Sequence, residues 1–264
     1  MSDPIRRTAL ITGASSGFGL QFVRRFAADG FDVVLVARRG APMEELAAEM
    51  EERHGVATVV LPKDLAEPGA AADVMANLGE RGVRVDALVN NAGFSTYGPL
   101  AETDLDVTIE MLRVNVLALT ELTRRCLPGM IERGWGRVLN LGSVGSFGPA
   151  PMTAAYAATK AYVLSLSLAL REELVGTGVT VTALCPGPTE TGFQARAEMA
   201  DSVLMAGKNL PGAVEVADAG YDAMTRGRPY LVTGASSRAF AFGSRFLPRT
   251  TMARIAGSSQ RRIG

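Results

Sequence analysis

Two residues one helical turn apart carry side chains that could move a proton. Tyr156 and Lys160 lie in Ala-Ala-Tyr-Ala-Ala-Thr-Lys-Ala-Tyr, inside a helix expected over residues 153–174, so both side chains leave one helix face. A phenol has an ordinary pKa near 10, and an ammonium about 5 Å away is expected to lower it by roughly two units. The pair predicts acid–base chemistry, although a chance tyrosine and lysine on a helix would look the same.

Two further polar residues support this interpretation. Ser143 follows a strand expected over 138–141 and precedes Tyr156 by thirteen residues, so its hydroxyl could hydrogen-bond a substrate oxygen held by the tyrosine. Asn115, in Arg-Val-Asn-Val, is polar within an apolar helix. Its ordinary interpretation is an amide that kinks the helix or is satisfied in the core.

A glycine-rich turn near the N-terminus is typical of a nucleotide site. Residues 8–19 read Thr-Ala-Leu-Ile-Thr-Gly-Ala-Ser-Ser-Gly-Phe-Gly, with Gly13, Gly17 and Gly19 between a buried strand and an apolar helix. A pyrophosphate that touches backbone N–H groups leaves no room for Cβ atoms, and a helix N-terminus attracts its charge. A glycine-rich turn of an ordinary α/β protein is the alternative. A Walker phosphate loop is excluded because no Gly-Lys-Ser/Thr closes the motif.

Strand-like runs alternate with helical patterns along the chain. The runs cover residues 8–11, 33–37, 58–61, 87–90, 138–141, 179–184 and 230–232. This alternation predicts an α/β fold, in which one doubly wound domain over 1–264 has a parallel sheet with helices on both faces.

The residues after the second strand indicate which dinucleotide is bound. Ligands of open α/β sheets bind at the carboxyl ends of the strands, and here Arg38 and Arg39 stand where an acidic residue would hold a ribose 2′-hydroxyl. An arginine there favours a 2′-phosphate, and therefore NADP(H) over NAD(H), by about ten- to a hundred-fold. Two solvated surface arginines are the alternative.

Two more strand ends offer small or polar residues to a nucleotide. Asp64 and Leu65 follow the third strand and could contact an adenine edge. Asn91, Ala92 and Gly93 follow the fourth and could lie beside the sugar. Either segment alone also fits turn chemistry.

Composition points to a small-molecule partner. The 27 basic and 27 acidic residues give zero net charge, which provides no long-range attraction to nucleic acid or to an anionic membrane. Cys126, Cys185 and His54 lack metal-ligand spacing, so no metal site is expected. No secretory or membrane-spanning run is apparent, and we expect a cytoplasmic protein without stable membrane insertion.

Taken together, the motifs resemble those of the short-chain dehydrogenase/reductase family along essentially the whole chain. The resemblance rests on residues 12–19, Asn90-Asn91-Ala92-Gly93, Asn115, Ser143, Tyr156-x-x-x-Lys160 and Pro186-Gly187-Pro188-Thr189-Glu190-Thr191. It implies a Rossmann sheet of seven parallel strands. Phe18 departs from the isoleucine usual in the family, with no expected loss of binding.

The resemblance also implies roles for individual residues. Tyr156 would be the general acid/base and Ser143 would orient the carbonyl. Lys160 would hold the nicotinamide ribose, and Asn115 would anchor a proton-relay water. The segment 186–191 would clamp the carboxamide. The residues expected to contact the cofactor are Gly13, Ser15, Ser16, Gly17, Phe18, Gly19, Arg38, Asp64, Leu65, Asn91, Ala92, Gly93, Tyr156, Lys160, Pro186, Gly187, Thr189 and Thr191.

The substrate pocket is expected to be apolar. By resemblance, residues 192–211 form a lid, which carries Phe193, Met199, Val203, Leu204 and Met205. The opposite wall would contain Phe94, Tyr97, Phe147 and Met152. Packing of these side chains in the core is an equally good interpretation.

Two segments indicate contacts between molecules. The helix after Lys160 is apolar nearly all round, which predicts a homodimer or homotetramer, and the resemblance places the contact on this helix and the one with Asn115. The tail, residues 238–264, mixes phenylalanines with arginines. It could lie on a membrane surface. Packing over the substrate mouth or a subunit interface is favoured, because Gly243 and Pro248 interrupt any long amphipathic helix.

The sequence therefore predicts an NADP(H)-dependent oxidoreductase that interconverts a carbonyl and a secondary alcohol on a small, fairly apolar substrate. A 3-oxoacyl-carrier reductase is the alternative within enzymes. A regulator that binds NADPH without turnover is a further alternative, which the presence of Asn115, Ser143, Tyr156 and Lys160 disfavours.

Overall fold

A seven-stranded parallel sheet forms the centre of the molecule. A computed structural model describes residues 6–189 and 211–259, and the strand order in the sheet is β3-β2-β1-β4-β5-β6-β7. The strands are β1 (Thr8–Thr12), β2 (Asp32–Ala37), β3 (Thr58–Pro62), β4 (Ala87–Asn90), β5 (Gly136–Leu141), β6 (Val179–Cys185) and β7 (Tyr230–Val232). The predicted doubly wound α/β fold is confirmed.

Helices connect the strands and cover both faces of the sheet. They are α1 (Gly17–Ala28), α2 (Ala41–His54), α3 (Ala70–Glu80), α4 (Leu105–Leu112), α5 (Leu119–Glu132), α6 (Ala154–Glu173), α7 (Ala213–Thr225), α8 (Ala235–Gly243) and α9 (Arg249–Ser259). A π-helical segment, Arg113–Ala118, joins α4 to α5, and a 3-10 turn, Val144–Phe147, follows β5.

The strands are buried because helices cover the sheet on both sides. On one face, Phe22 and Phe26 of α1 pack with Met43 of α2 and Tyr221 of α7. The other face is covered by a second cluster, which includes residues of α3 and α5. Strands covered in this way read as continuous apolar runs, which is why the seven runs could be recognised in the sequence.

The strand order reverses between β1 and β4, which opens a crevice at their carboxyl ends. β1 pairs with β2 on one side and with β4 on the other, and the helices that follow leave in opposite directions. In open α/β sheets a ligand binds at such a reversal. The glycine-rich turn after β1 and Asn91 after β4 meet at this point.

The tail forms two short helices, and the break between them lies where the sequence predicted an interruption. Gly243 ends α8, and Pro248 directly precedes α9. Met252 of α9 is buried, and a methyl group on Gly148 would lie 3.7 Å from its Cε atom. Thus α9 packs beside the loop that leads from Ser143 to α6. In the described part of the chain, no helix is long and apolar enough to cross a membrane.

Candidate active site

The expected acid–base pair lies at the start of α6, a helix rich in alanine. Its observed bounds differ from the expected ones by one residue at each end. The Nζ atom of Lys160 lies 5.7 Å from the centroid of the Tyr156 ring. Lys160 is buried, and its ammonium donates a hydrogen bond of 2.7 Å to the carbonyl oxygen of Leu141 at the end of β5. The two side chains therefore meet at the carboxyl end of the sheet.

Ser143 is held beside Tyr156 by a capping box. Its hydroxyl oxygen accepts a hydrogen bond of 3.1 Å from the N–H of Gly145, and the hydroxyl of Ser146 accepts one of 3.1 Å from the N–H of Ser143. A side-chain hydrogen bond also links Ser143 to Tyr156. The structure thus joins two hydroxyls that are thirteen residues apart, and the positioning role of Ser146 was not foreseen. A serine three residues after Ser143 was the available signal.

The pKa values of the pair differ from the sequence-based expectation. Burial raises the pKa of Tyr156 to about 12, although the hydrogen bond from Ser143 lowers it in part. Burial lowers the pKa of Lys160 to about 8. The prediction of a lowered tyrosine pKa was therefore wrong, because loss of solvation at the phenol raises the pKa by more than the hydrogen bond from Ser143 lowers it.

Asn115 lies in the π-helical segment, not in a regular α-helix. Its side-chain oxygen accepts a hydrogen bond of 3.2 Å from the N–H of Phe94, and its amide donates to the carbonyl of Phe94 at 3.0 Å and to the hydroxyl of Thr159 at 3.1 Å. The amide is thus satisfied in the core, as the ordinary interpretation held. Thr159, directly before Lys160, was not among the predicted site residues.

Gly93, in the loop after β4, lies against this cluster, and β4 is the strand beside β1 in the sheet. A Cβ atom on Gly93 would lie 2.9 Å from the side-chain oxygen of Asn115 and 3.5 Å from the Lys160 ammonium. A larger residue at this position would have to displace the amide. Asn115, Tyr156, Lys160 and Ser143 therefore form one cluster at the edge of the crevice.

The glycine-rich turn is packed against the loop after β4. A Cβ atom on Gly13 would lie 2.6 Å from the side-chain nitrogen of Asn91, and one on Gly19 would lie 2.1 Å from the carbonyl oxygen of Gly13. Gly13 and Gly17 have positive φ values of 67° and 57°. These glycines are required by the fold of the turn itself, in addition to any role toward a ligand.

A threonine that the site prediction omitted organises the same turn. The hydroxyl oxygen of Thr12 accepts hydrogen bonds from the N–H groups of Asn91 and Ala92, at 3.0 and 2.9 Å. The Asn91 amide donates in return to the carbonyl of Thr12 at 2.8 Å. A polar residue at the end of an apolar strand was the signal.

The N-terminus of α1 borders this turn. Ser16 is the N-cap of α1 and makes no side-chain capping hydrogen bond, so its side chain does not occupy the first-turn N–H groups. Phe18 is partly buried and packs against the core under the helix. Backbone N–H groups and a helix dipole at this place suit the pyrophosphate of a dinucleotide.

Both arginines after β2 reach the crevice. A guanidinium nitrogen of Arg38 lies 3.9 Å from a carboxylate oxygen of Asp64, and Arg38 is exposed. Arg39 donates to the hydroxyl of Ser15 at 3.4 Å. Asp64 also caps its own turn by accepting from the N–H of Ala66, whereas Leu65 is buried in the core. At the carboxyl end of β2, Arg38 is thus paired with Asp64, and Arg39 with Ser15 of the glycine-rich turn.

The segment after β6 lies against the loop that leads from Ser143 to α6. The carbonyl of Pro186 accepts a hydrogen bond of 2.8 Å from the N–H of Val144, and the Thr189 hydroxyl donates to the carbonyl of Gly187 at 2.9 Å. A Cβ atom on Gly187 would lie 2.2 Å from the Ser237 hydroxyl. Glu190, Thr191 and all of the expected lid over 192–211 except Pro211 lie outside the described residues.

The four residues expected on the opposite substrate wall divide into two groups. Phe94 packs against the helix-covered core, and Phe147 packs on the ring of Tyr230 with centroids 5.9 Å apart. Tyr97 and Met152 lie in neighbouring loops, which are joined by a hydrogen bond from the N–H of Gly98 to the carbonyl of Met152. Met152 has a φ of 69°, an uncommon value for a residue other than glycine.

Comparison with known proteins identifies the family. Residues 7–201 match the short chain dehydrogenase family model. A sulfoacetaldehyde reductase of Chromohalobacter salexigens is 42% identical over 195 residues, which cover 73% of this chain and 75% of the relative. A very-long-chain 3-oxoacyl-CoA reductase of Anas platyrhynchos is 34% identical over 182 residues, which cover 67% of this chain and 58% of the relative.

The fold is also that of a solved structure. A short-chain dehydrogenase from Sphingobium yanoikuyae in complex with NADPH superposes with a TM-score of 0.79 at 35% sequence identity, and the match covers 90% of this chain and 93% of the other. The chain therefore belongs to the short-chain dehydrogenase/reductase family and is an oxidoreductase of the alcohol and carbonyl groups.

Proposed function

We propose that the protein reduces a fairly apolar ketone to a secondary alcohol with NADPH, and that Tyr156 donates the proton. The observation that carries this proposal is the Tyr156 phenol, which is hydrogen-bonded to Ser143 and lies beside Lys160 at the edge of the dinucleotide crevice. Its pKa is raised to about 12, so the phenol carries its proton at neutral pH. A protonated phenol is suited to proton donation, which is the reducing direction.

The residues divide the acid–base work between them. NADPH, when bound, supplies the hydride to the carbonyl carbon. The hydroxyl of Ser143 can donate to the carbonyl oxygen and hold it next to the Tyr156 phenol, whose proton then passes to that oxygen. An alkoxide is a stronger base than a phenolate, so this transfer is downhill despite the raised tyrosine pKa. In the alcohol-oxidising direction the same phenol would have to lose its proton first.

Lys160 supports the phenolate that remains after proton transfer. Its pKa of about 8 leaves the ammonium mostly protonated at neutral pH. A positive charge 5.7 Å from the ring centroid stabilises the developing negative charge, and more strongly in a buried site than in water. The remaining N–H groups of Lys160 are the ones assigned to the nicotinamide ribose.

The cofactor assignment rests on the fit of the crevice to a phosphorylated dinucleotide. The turn with Gly13, Gly17 and Gly19 leads into the start of α1, where Ser16 makes no side-chain capping hydrogen bond, so the first-turn N–H groups can bind a pyrophosphate. Arg38 and Arg39 supply positive charge where a 2′-phosphate would lie. The NADPH of the Sphingobium protein supports the same choice.

A 3-oxoacyl thioester is the second candidate substrate. The relative named as a very-long-chain 3-oxoacyl-CoA reductase favours it. Both candidates place a ketone at Tyr156, and they differ in what lies beyond the ketone. Simple apolar ketones require only apolar contacts such as those of Tyr97 and Met152, whereas a thioester carries a phosphorylated arm that needs cationic contacts as well.

The proposal is tested by initial rates of NADPH oxidation over a panel of ketones, aldehydes and acetoacetyl thioesters. Parent protein should turn over a subset, and Tyr156→Phe should lose at least about a hundred-fold in kcat, the usual size of a general-acid contribution, while binding NADPH as before. Tyr221→Phe is the control, since its hydroxyl donates to Asp29 and its ring packs with α1, away from the acid–base cluster. Equal rates for Tyr156→Phe and the parent would refute the proton-donor role.

We also propose that two chains associate through α4, the π-helical segment and α6. Leu105, Leu117 and Tyr162 are 71%, 61% and 38% exposed there and would together offer apolar surface to a second chain. The Tyr162 hydroxyl also shares a hydrogen bond of 2.9 Å with Thr120. Leu117→Glu should therefore convert the assembly to monomers in light scattering, and an unchanged mass would refute this contact.

A further inference from the structure

The charge of the chain is distributed very unevenly. From residue 223 to the end there are eight arginines and no aspartate or glutamate, although the whole chain has zero net charge. The preceding part therefore carries eight more acidic than basic residues. Four of these arginines, Arg238, Arg245, Arg249 and Arg254, are exposed on or between α8 and α9. Arg245 also donates to the Tyr230 hydroxyl.

Large apolar side chains stand among these arginines. Phe242 and Phe246 are 62% and 71% exposed, their ring centroids are 5.3 Å apart, and the adjacent Leu247 is 41% exposed. The helix geometry explains why they point outward. Ser237 and Ala241 form the buried side of α8, whereas Arg238 and Phe242, also four residues apart, share an exposed side. We call Phe242, Phe246 and Leu247, with the four arginines, the tail face.

The inner side of the tail is already occupied by the rest of the fold. Met252 and Ala256 of α9 are buried, and α9 packs along the loop that contains Gly148 and Pro151. The tail is therefore fixed to the mouth of the candidate active site. What remains outward is the tail face, which no described part of the chain covers.

We propose that the tail face docks on an anionic lipid surface. Phe242, Phe246 and Leu247 would enter the boundary between headgroups and acyl chains, and the arginines would pair with lipid phosphates while their stems cover apolar surface. Such a contact lies in the plane of the interface, so it needs no helix long enough to span the bilayer. An aromatic pair flanked in sequence by arginines and by no carboxylate is complementary to this surface.

Charge favours an anionic lipid surface over a second copy of the chain as the partner of the tail face. A twofold contact of the tail face with itself would bring four arginines toward four others, with no described carboxylate in the tail to separate them. The chain as a whole has zero net charge, which argued against attraction to a membrane. This value averages over two oppositely charged parts of the chain. Docking would also bring the mouth of the site beside the bilayer, where apolar ketones partition.

The test is sedimentation of the full chain with vesicles. Two vesicle types are compared, pure phosphatidylcholine and an equimolar mixture with phosphatidylglycerol, at low and at physiological salt. We expect binding to the anionic vesicles and little to the neutral ones. Phe242→Ser with Phe246→Ser should weaken this binding by at least about tenfold, and Arg249→Gln with Arg254→Gln by about thirty-fold.

Matched controls lie at the opposite end of the sheet. Val175→Ser removes a side chain that is 74% exposed, and Arg84→Gln removes an exposed guanidinium, and neither should change vesicle binding. NADPH binding by every variant reports that the fold is intact. Absence of binding to anionic vesicles would overturn the proposal. Equal effects of the tail and control variants on vesicle binding would also overturn it. A change in the oligomeric state of the phenylalanine variant without a change in vesicle binding would overturn it too, and would identify the tail face as a subunit contact.

Discussion

The side-chain amide of Asn115 donates to the hydroxyl oxygen of Thr159 at 3.1 Å, and this bond joins the π-helical segment to the helix of the acid–base pair. The Thr159 hydroxyl in turn donates to the carbonyl oxygen of Tyr156 at 2.7 Å. Thr159 thus connects Asn115 to the first turn of α6. It touches neither the expected substrate nor the reacting atoms, so any effect on turnover must act through the positions of its neighbours.

Replacing Thr159 by valine should lower kcat by about tenfold with little change in KM. Valine has the same shape but leaves the Asn115 amide without this acceptor, at a cost of about 1–3 kcal/mol, and the amide is expected to reorient. Thr159→Ser retains the hydroxyl and should retain most of the activity. Steady-state kinetics of both variants gives the kcat and KM values to compare with those of the parent. A kcat for the valine variant equal to that of the parent would show that the bond has no positioning role.

The buried Lys160 should make a contribution to stability that rises with pH. Its pKa is lowered from 10.5 to about 8 in the folded state, so between these values the unfolded chain binds the proton and the folded chain does not. The cost of burying the ammonium is present below about pH 8 and disappears toward pH 10.5. The free energy of unfolding should therefore gain up to about 3 kcal/mol from this group across that window.

Lys160→Met isolates this contribution, because methionine does not titrate. Urea unfolding of parent and variant at a series of pH values should show the stability of the parent rising relative to that of the variant above about pH 8. Tyr156, Cys126 and Cys185 have raised pKa values in the folded protein and act in the opposite direction from about pH 9 upward, but both proteins contain them, so the comparison cancels most of their effect. A constant difference between the two proteins would mean that the lysine keeps an ordinary pKa.

Two glycines within helices should respond in opposite ways to alanine. A Cβ atom on Gly19 would lie 2.1 Å from the carbonyl oxygen of Gly13, whereas one on Gly79 would meet nothing within 4 Å. Gly19→Ala should displace the turn, lower stability by more than about 1 kcal/mol and abolish NADPH binding. Gly79→Ala should instead stabilise the protein by about 0.5–1 kcal/mol. Thermal unfolding and NADPH titration measure both effects, and similar behaviour of the two variants would contradict the packing argument.

Arg38→Ala should weaken NADPH binding by about ten- to a hundred-fold and leave NADH binding unchanged. The reason is that only NADPH carries the 2′-phosphate that the guanidinium would contact. Arg53→Ala is the control, since Arg53 is 66% exposed, close to the 64% of Arg38, but lies at the far end of α2. Fluorescence titration with both cofactors gives the constants. Parallel losses for NADPH and NADH would place the 2′-phosphate elsewhere, with Arg39 as the next variant to measure.

The local pattern of the sequence was enough to predict the sheet and the acid–base helix. Buried parallel strands are apolar along their whole length, so all seven were located to within two residues, as for β5, which begins at Gly136 rather than 138. The spacing of Tyr156 and Lys160 implied a shared helix face, because helical period depends only on neighbouring residues. Gly243 and Pro248 likewise predicted the break in the tail.

Only the tertiary structure decided how deeply the site residues are buried and which residues they contact. The pKa of Tyr156 depends on burial of the phenol, which no spacing reveals, and its direction was therefore predicted wrongly. Asn115 bonds to Thr159, 44 residues away, and Gly13 is constrained by Asn91 from the loop after β4. The outward position of Phe242 likewise follows from which side of α8 packs on the fold. Local periodicity is contained in the chain itself, whereas desolvation and contact partners exist only once distant segments have packed together.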